Sequence, residues 1–238
     1  MNFDDYAAKY KSLCNNLLRF FDSDHEYFLR QKIKLAAKAT GSVSANVLDF
    51  GCGIGEALPA IRDYFPDSKI FAYDPSEESL RLAREKAPWV HFLDGASLTQ
   101  NKYDCIIVSC VIHHIPPIEW HAASAQMANL LAPGGWLCIF EHNPWNPVTR
   151  RIVNSCPFDA DAVLLSKRAT IRLLEGCGLG VRRSDYYLFF PSKLRWLRKF
   201  EPLIRWLPLG GQYFVGAQQD IEVVANSTGS KNILRQEH

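Results

Sequence analysis

The sequence predicts an α/β domain built on a parallel sheet with helices on both faces. Three observations carry this expectation. Short apolar runs alternate with helix-length amphipathic segments across residues 46–142, the order that parallel βαβ units require. Runs such as Ile106-Ile107-Val108 and Trp136-Leu137-Cys138-Ile139-Phe140 are apolar without alternation, as in strands covered on both sides. Glycines at 51, 53 and 55 lie where the first run gives way to a helix, a place that needs positive φ and close backbone approach.

The elements follow in order. Residues 3–40 read as two helices, with Leu13, Leu17, Leu18 and Phe21 on the first. Tyr27, Phe28, Ile33, Leu35 and Ala36 recur on the second at looser helical spacing. Asp22-Ser23-Asp24 separates them with N-cap chemistry, and Gly41-Ser42 closes the second. Residues 46–50 form the first strand, and a helix runs from the glycines to about residue 64. Residues 69–73 form the second strand, ending at Asp74-Pro75. Ser76 caps the next helix, with the glutamate of a capping box after it. Strands at 89–93 and 105–109 precede a helix at 118–131. Pro133-Gly134-Gly135 turns into a fifth strand at 136–141. Beyond it lie a helix at 166–177 and a strand at 181–190. Two short helices follow, at 191–200 and 202–207, divided because Pro202 breaks the register. A last strand starts at Gln212 and extends toward Val224, and residues from 226 read as a disordered tail.

Composition narrows the function classes. The chain has 238 residues, 47% apolar and 22% charged, enough for one large domain whose core needs no staple. The net charge of +2 argues against a nucleic-acid partner, where a strong basic excess is usual. That total hides a division: residues 1–141 hold 13 basic and 17 acidic side chains, residues 142–238 hold 14 and 8. The basic half favours an anionic or amphipathic acceptor. No apolar run reaches the roughly 18 residues of a membrane span, and the polar start MNFDDYAAKY does not read as a secretory leader. The seven cysteines are irregularly spaced with no CxxC pair, so reduced thiols in the cytoplasm are expected.

The glycine loop bears on the ligand. A dinucleotide site wants GxGxxG with pyrophosphate on the helix N-terminus. Here the spacing is GxGxG, with Glu56 at the helix start and Asp49 two residues before Gly51. Acidic groups around the loop suit a ligand with cationic parts and no phosphate. S-adenosylmethionine (SAM) carries an ammonium and a sulfonium. Asp74, about 25 residues on, can accept from ribose hydroxyls.

The runs LDFGCGIG, YDPS, FLDGAS, YDCIIVSCVIHHI and LAPGGWLCIFEHN, in this order, resemble class I SAM-dependent methyltransferases over residues 1 to about 220. Within that family EHNPWNPVTRR and LPLGGQYFV look like a bacterial small-molecule subgroup. The resemblance implies a Rossmann-like seven-stranded sheet with an antiparallel last strand. It implies an N-terminal helical lid over 1–42, the methyltransferase domain over 43–225 with an insert at about 191–210, and the tail. It places Asp49, Gly51, Cys52 and Gly53 at the methionine part of SAM, and Asp74 with Pro75 at the ribose. Asp94, Gly95 and Ala96 fall near the adenine, although this chain has Asp-Gly where many members have Gly-Asp. Cys110 and Val111 lie beside the methionine part, and Tyr6 belongs to the lid. The product is S-adenosylhomocysteine.

Four residues are candidates for proton work: His113 and His114 after the fourth strand, Glu141 and His142 after the fifth. No HExxH or paired-cysteine spacing suggests a metal. The expected reaction is methyl transfer to a small-molecule acceptor at oxygen, on a saccharide, lipid-linked intermediate or secondary metabolite. N- or C-methylation by the same fold and a nicotinamide-dependent oxidoreductase are the alternatives, the latter lacking a Tyr-x-x-x-Lys pair. Asn143-Pro144-Trp145-Asn146-Pro147 is either a proline-stiffened loop or a loop whose tryptophan walls the substrate. The aromatic and basic segment 189–214 either packs its apolar side on the sheet, meets a membrane surface, or forms a dimer interface.

Overall fold

The computed structural model describes residues 25–41 and 45–219. The expected first helix, the break at 22–24, Tyr6 and the tail lie outside the described residues.

The described chain forms a seven-stranded sheet in the order β3-β2-β1-β4-β5-β7-β6. Its strands are β1 (Asn46–Phe50), β2 (Lys69–Tyr73), β3 (His91–Leu93), β4 (Tyr103–Ser109), β5 (Leu131–His142), β6 (Leu179–Tyr187) and β7 (Gln212–Gln219). The first five pair in parallel. β7 is antiparallel to both β5 and β6, as the resemblance implies. The strand order reverses between β1 and β4, and open sheets gape at such a point.

Seven α-helices are described: α1 (His25–Thr40), α2 (Leu58–Tyr64), α3 (Glu77–Lys86), α4 (Trp120–Asn129), α5 (Pro147–Ser155), α6 (Lys167–Gly176) and α7 (Glu201–Ile204). Alternation along β4 shows how the sheet is clothed. Cys105 and Ile107 join the core beneath Ile33, Ala36, Leu58, Ile61 and Leu80 of α1, α2 and α3. Ile106 and Val108 join the opposite core, with Met127 of α4 and Leu174 of α6. Period-two side chains feeding two cores are the cause of the unbroken apolar strands. The described cysteines are free thiols. No helix among the described residues is long and apolar enough to cross a membrane.

Local chemistry departs from expectation at four places. The third residue after Ser76 is Ser79, whose amide donates to the Ser76 hydroxyl at 3.1 Å. Ser76 is therefore an N-cap without a capping box, and Glu77 and Glu78 face the helix dipole instead. β5 begins before the expected turn and runs through Pro133-Gly134-Gly135, with a register shift opposite Tyr103/Cys105. A Cβ on Gly135 would lie 2.8 Å from the Tyr103 carbonyl oxygen, so only glycine lets the strands close there. Pro202 occupies the first turn of α7, where a missing amide costs nothing. It starts that helix rather than breaking one. The segment Ser192–Phe200 is a 3₁₀ helix kinked at Leu194, and its apolar side does not pack on the sheet. Trp196, Leu203, Trp206 and Leu209 are each more than 60% exposed.

Phe140 and Phe214 stack at 4.8 Å between centroids across the β5–β7 pair, and both are fully buried. Phe214→Ala should destabilise the fold by about 3–5 kcal/mol, and Phe214→Leu by less than half of that. Urea unfolding followed by tryptophan fluorescence measures both.

Candidate functional site

A cavity of about 560 Å³ opens where the strand order reverses, at the carboxyl ends of β1 and β4. Asp49, Gly51, Cys52, Gly53, Asp74 and Pro75 line one part of it. Cys110 and Val111 line the middle, and His113, His114 and His142 line the other part. Asp94, Gly95 and Ala96 are not among the lining residues. Asp94 instead holds the turn after β3, its carboxylate accepting from the Ser97 amide at 2.7 Å. Glu141 sits beneath the wall, 1% exposed.

The glycine loop is shaped for close approach. Gly51, Gly53 and Gly55 all have positive φ, which side chains resist. A Cβ on Gly51 would meet Val111 Cγ2 at 2.5 Å. The loop folds back on β2, with the Gly51 amide donating to the Tyr73 carbonyl at 2.7 Å. The Asp74 carboxylate accepts from the Gly53 amide at 2.7 Å and the Ser76 amide at 2.9 Å. Glu56 also lines the cavity and is held by an ion pair with Lys86.

Asp49 is the group that most asks for a ligand. It is 2% exposed, and its Oδ2 has no hydrogen-bond partner among the described residues. Burial, and then the nearby Asp74, push its carboxyl up to about 7, while Lys32 pulls the other way. A buried carboxylate aimed into a cavity fits a cationic ligand group and opposes a phosphate.

Lys32, which sequence reasoning missed, comes from α1. It is 7% exposed, and its Nζ donates to Ser109 Oγ at 2.8 Å and to Cys110 Sγ at 3.4 Å. Its signal was a cation on the apolar face shared by Leu29, Ile33 and Ala36. Cys110 has φ 59°, an uncommon value for a non-glycine residue, fixed by its amide donating to Phe140 O at 2.8 Å. Burial raises a thiol, but Lys32 and His142 outweigh it and bring Cys110 down to about 6. Gln212 reaches the same place from β7, its amide nitrogen 3.3 Å from His142 Nδ1.

The histidines form a connected group. Glu141 accepts from the Val111 and Ile112 amides at 3.1 and 2.8 Å, and its other oxygen meets His113 Nδ1 at 2.5 Å. Asp159 Oδ1 lies 3.5 Å from His113 Nε2 and 3.6 Å from His114 Nε2. Burial would lower His113, but Glu141 and Asp159 hold it well above the usual range. Burial and the His113 charge push His114 down to about 4. Asp159, also missed from sequence, carries no local signal, since it stands 45 residues beyond His114.

The Asn-Pro-Trp-Asn-Pro segment is a lock, not a substrate wall. Asn143 donates to the Pro208 and Gly210 carbonyls at 3.0 and 2.8 Å. Asn146 caps α5 and donates to Leu209 O at 2.7 Å. Trp145 is 68% exposed and does not line the cavity.

The Asp49 carboxyl also makes a stability prediction. Its folded value lies above its unfolded value, so the folded state binds the extra proton between about pH 4 and 7. Stability falls across that window as pH rises, by up to about 4 kcal/mol. Ligand-free Asp49→Asn should therefore melt higher than the parent at pH 8, with the difference vanishing toward pH 4. Calorimetric melting across pH gives the comparison, and a lower melting point for the variant at pH 8 contradicts it.

Comparison with known proteins accords with this geometry. A family model described as a methyltransferase domain matches residues 21–183. A trans-aconitate 2-methyltransferase of Acidovorax sp. (strain JS42) is 24% identical over 213 residues, covering 82% of this chain and 78% of that protein. One from Methylobacterium nodulans is 31% identical over 140 residues, covering 55% and 53%. Among solved structures, a SAM-dependent methyltransferase of Thermotoga maritima aligns with TM-score 0.63 at 17% identity, covering 92% of this chain and 99% of that one. Magnesium protoporphyrin IX methyltransferase of Synechocystis, with bound SAM, aligns with TM-score 0.61 at 16% identity, covering 91% and 94%. The chain belongs to the methyltransferase-domain family and is a class I SAM-dependent methyltransferase of the small-molecule kind.

Proposed function

We propose that the chain transfers the SAM methyl group to an oxygen of a small anionic acceptor, a carboxylate or similar oxyanion. The observation that carries this is the group of His113, His114 and Asp159 in the cavity wall beyond Cys110 and Val111. The relatives named for trans-aconitate, a polycarboxylate, support an acidic acceptor. The nicotinamide alternative falls with the family assignment.

SAM supplies an electrophilic methyl on a sulfonium. Asp49 Oδ2 offers an ionic acceptor for its ammonium, and Lys32 a cation for its carboxylate. Asp74 already holds the Gly53 and Ser76 amides, and a carboxylate so placed can also accept from ribose hydroxyls. The glycines let this part of the ligand lie against the backbone. Val111, held by Glu141, sets the wall between donor and acceptor. The imidazoles beyond it orient the acceptor oxygen. An oxyanion needs no base, so the residues' work is alignment and exclusion of water.

The exposed Trp196, Leu203, Trp206 and Leu209, beside Lys193, Arg195, Lys199 and Arg205, favour a second reading: peripheral contact of 189–214 with an anionic membrane surface. Salt-sensitive sedimentation with phosphatidylserine vesicles supports it, and absence of sedimentation at low salt removes it.

Two outcomes are expected for the main reading. SAM affinity by calorimetry should fall about five- to tenfold from pH 7.5 to pH 6 as Asp49 takes up its proton. In Asp49→Asn it should be weak and insensitive over that range. Incubation with labelled SAM and a panel of carboxylic acids and alcohols, read by mass spectrometry, should label acids as base-labile methyl esters. Labelling only of amines or carbon would overturn the oxygen assignment.

A further inference from the structure

We propose that His113, His114 and Asp159 form a site for a divalent transition-metal ion, which would hold the acceptor oxygen. The role toward the acceptor rests on the reading above, whereas the metal site itself does not. The three donor atoms lie within 4.8 Å of one another. Asp159 Oδ1 stands 3.5 Å from His113 Nε2 and 3.6 Å from His114 Nε2. A tetrahedral site with bonds of about 2.0–2.2 Å has ligand–ligand edges of about 3.4 Å. Two of the three edges therefore match a ligand shell.

Two independent features point the same way. His113 is 1% exposed and its Nε2 has no close hydrogen-bond partner among the described residues. Its other nitrogen, Nδ1, is engaged by Glu141 at 2.5 Å. Glu141 is itself fixed by the Val111 and Ile112 amides. A carboxylate orienting a histidine whose far nitrogen faces a metal is the common outer-shell arrangement. Charge agrees: the Glu141 and Asp159 carboxylates flank the two imidazoles.

The donor set indicates the ion. Two imidazoles and one carboxylate suit zinc, cobalt or iron(II) rather than magnesium or calcium. Three protein ligands leave at least one position open. All three residues line the cavity, so the open position faces its interior. An oxyanion acceptor there would be held and oriented by the ion without any redox step.

The test uses the full chain, stripped with a chelator and dialysed. Cobalt(II) titration followed by visible absorption should show one equivalent bound with four- or five-coordinate bands, and zinc should displace it. His113→Gln, Asp159→Asn and His114→Gln should each weaken cobalt affinity at least about tenfold, and Glu141→Gln about 10- to 100-fold. His91→Gln, on the surface, should retain the full equivalent. Melting curves identify variants that fail to fold. His114→Gln, at a partly exposed position, keeps the test decisive if His113→Gln does not fold. Absence of a cobalt spectrum, or full affinity in folded His114→Gln and Asp159→Asn, overturns the site. SAM calorimetry on the same metal-stripped sample separates the two readings. Metal binding without methyl transfer to acids sinks the acceptor assignment alone, and transfer to acids without metal binding sinks the metal alone.

Discussion

The buried Glu141 carboxylate is the constraint on which the site depends. It stands at the end of β5, 1% exposed, where an unpaired charge would be costly. Burial works against its ionised form, yet the His113 ring and the Ile112 amide keep it below the usual carboxylate range. In meeting that need it ties the turn after β4 to β5. The turn's Val111 then presses against Gly51 so closely that no side chain fits there. One carboxylate thus positions the histidine group, the wall at Val111 and, through it, the glycine loop.

The cavity is divided electrostatically. Asp49 and Asp74 gather negative charge at the ends of β1 and β2, and Lys32 enters from α1 to meet Cys110 and Ser109. Each lies where low dielectric makes its charge count. A zwitterionic ligand with a cationic end and a carboxylate would satisfy that division. The pressure on the Asp49 carboxyl is the cost of holding the site ready.

The chain after β5 serves the site differently. Asn143, Asn146 and Thr149 bind the backbone of 208–211, so the segment between β6 and β7 is pinned at its return. Glu201 anchors its start, accepting from the Phe189 and Phe190 amides at 3.2 and 3.3 Å. A segment held at both ends can expose large apolar side chains without loosening the sheet. Gln212 and Leu188, at its two margins, line the cavity and so link that surface to it.

Much of this was legible in residues alone. Unbroken apolar strands, the glycines after β1 and the acids at 49 and 74 are local signals, because strand burial and positive φ act on neighbours in sequence. The residues expected at the cofactor line one part of the cavity, apart from Asp94, Gly95 and Ala96. The antiparallel β7 came from family resemblance, since nothing in its own composition sets direction. What only the tertiary structure decided were the meetings of distant residues: Lys32 with Cys110, Glu141 with His113, and Asp159 with the histidine pair. The apolar face of 192–209 also turned outward, against the expectation that it packs on the sheet. Sequence spacing reports what one helix or strand must bury. Which charges converge in a buried cavity depends on how separate elements pack, and no local pattern encodes that.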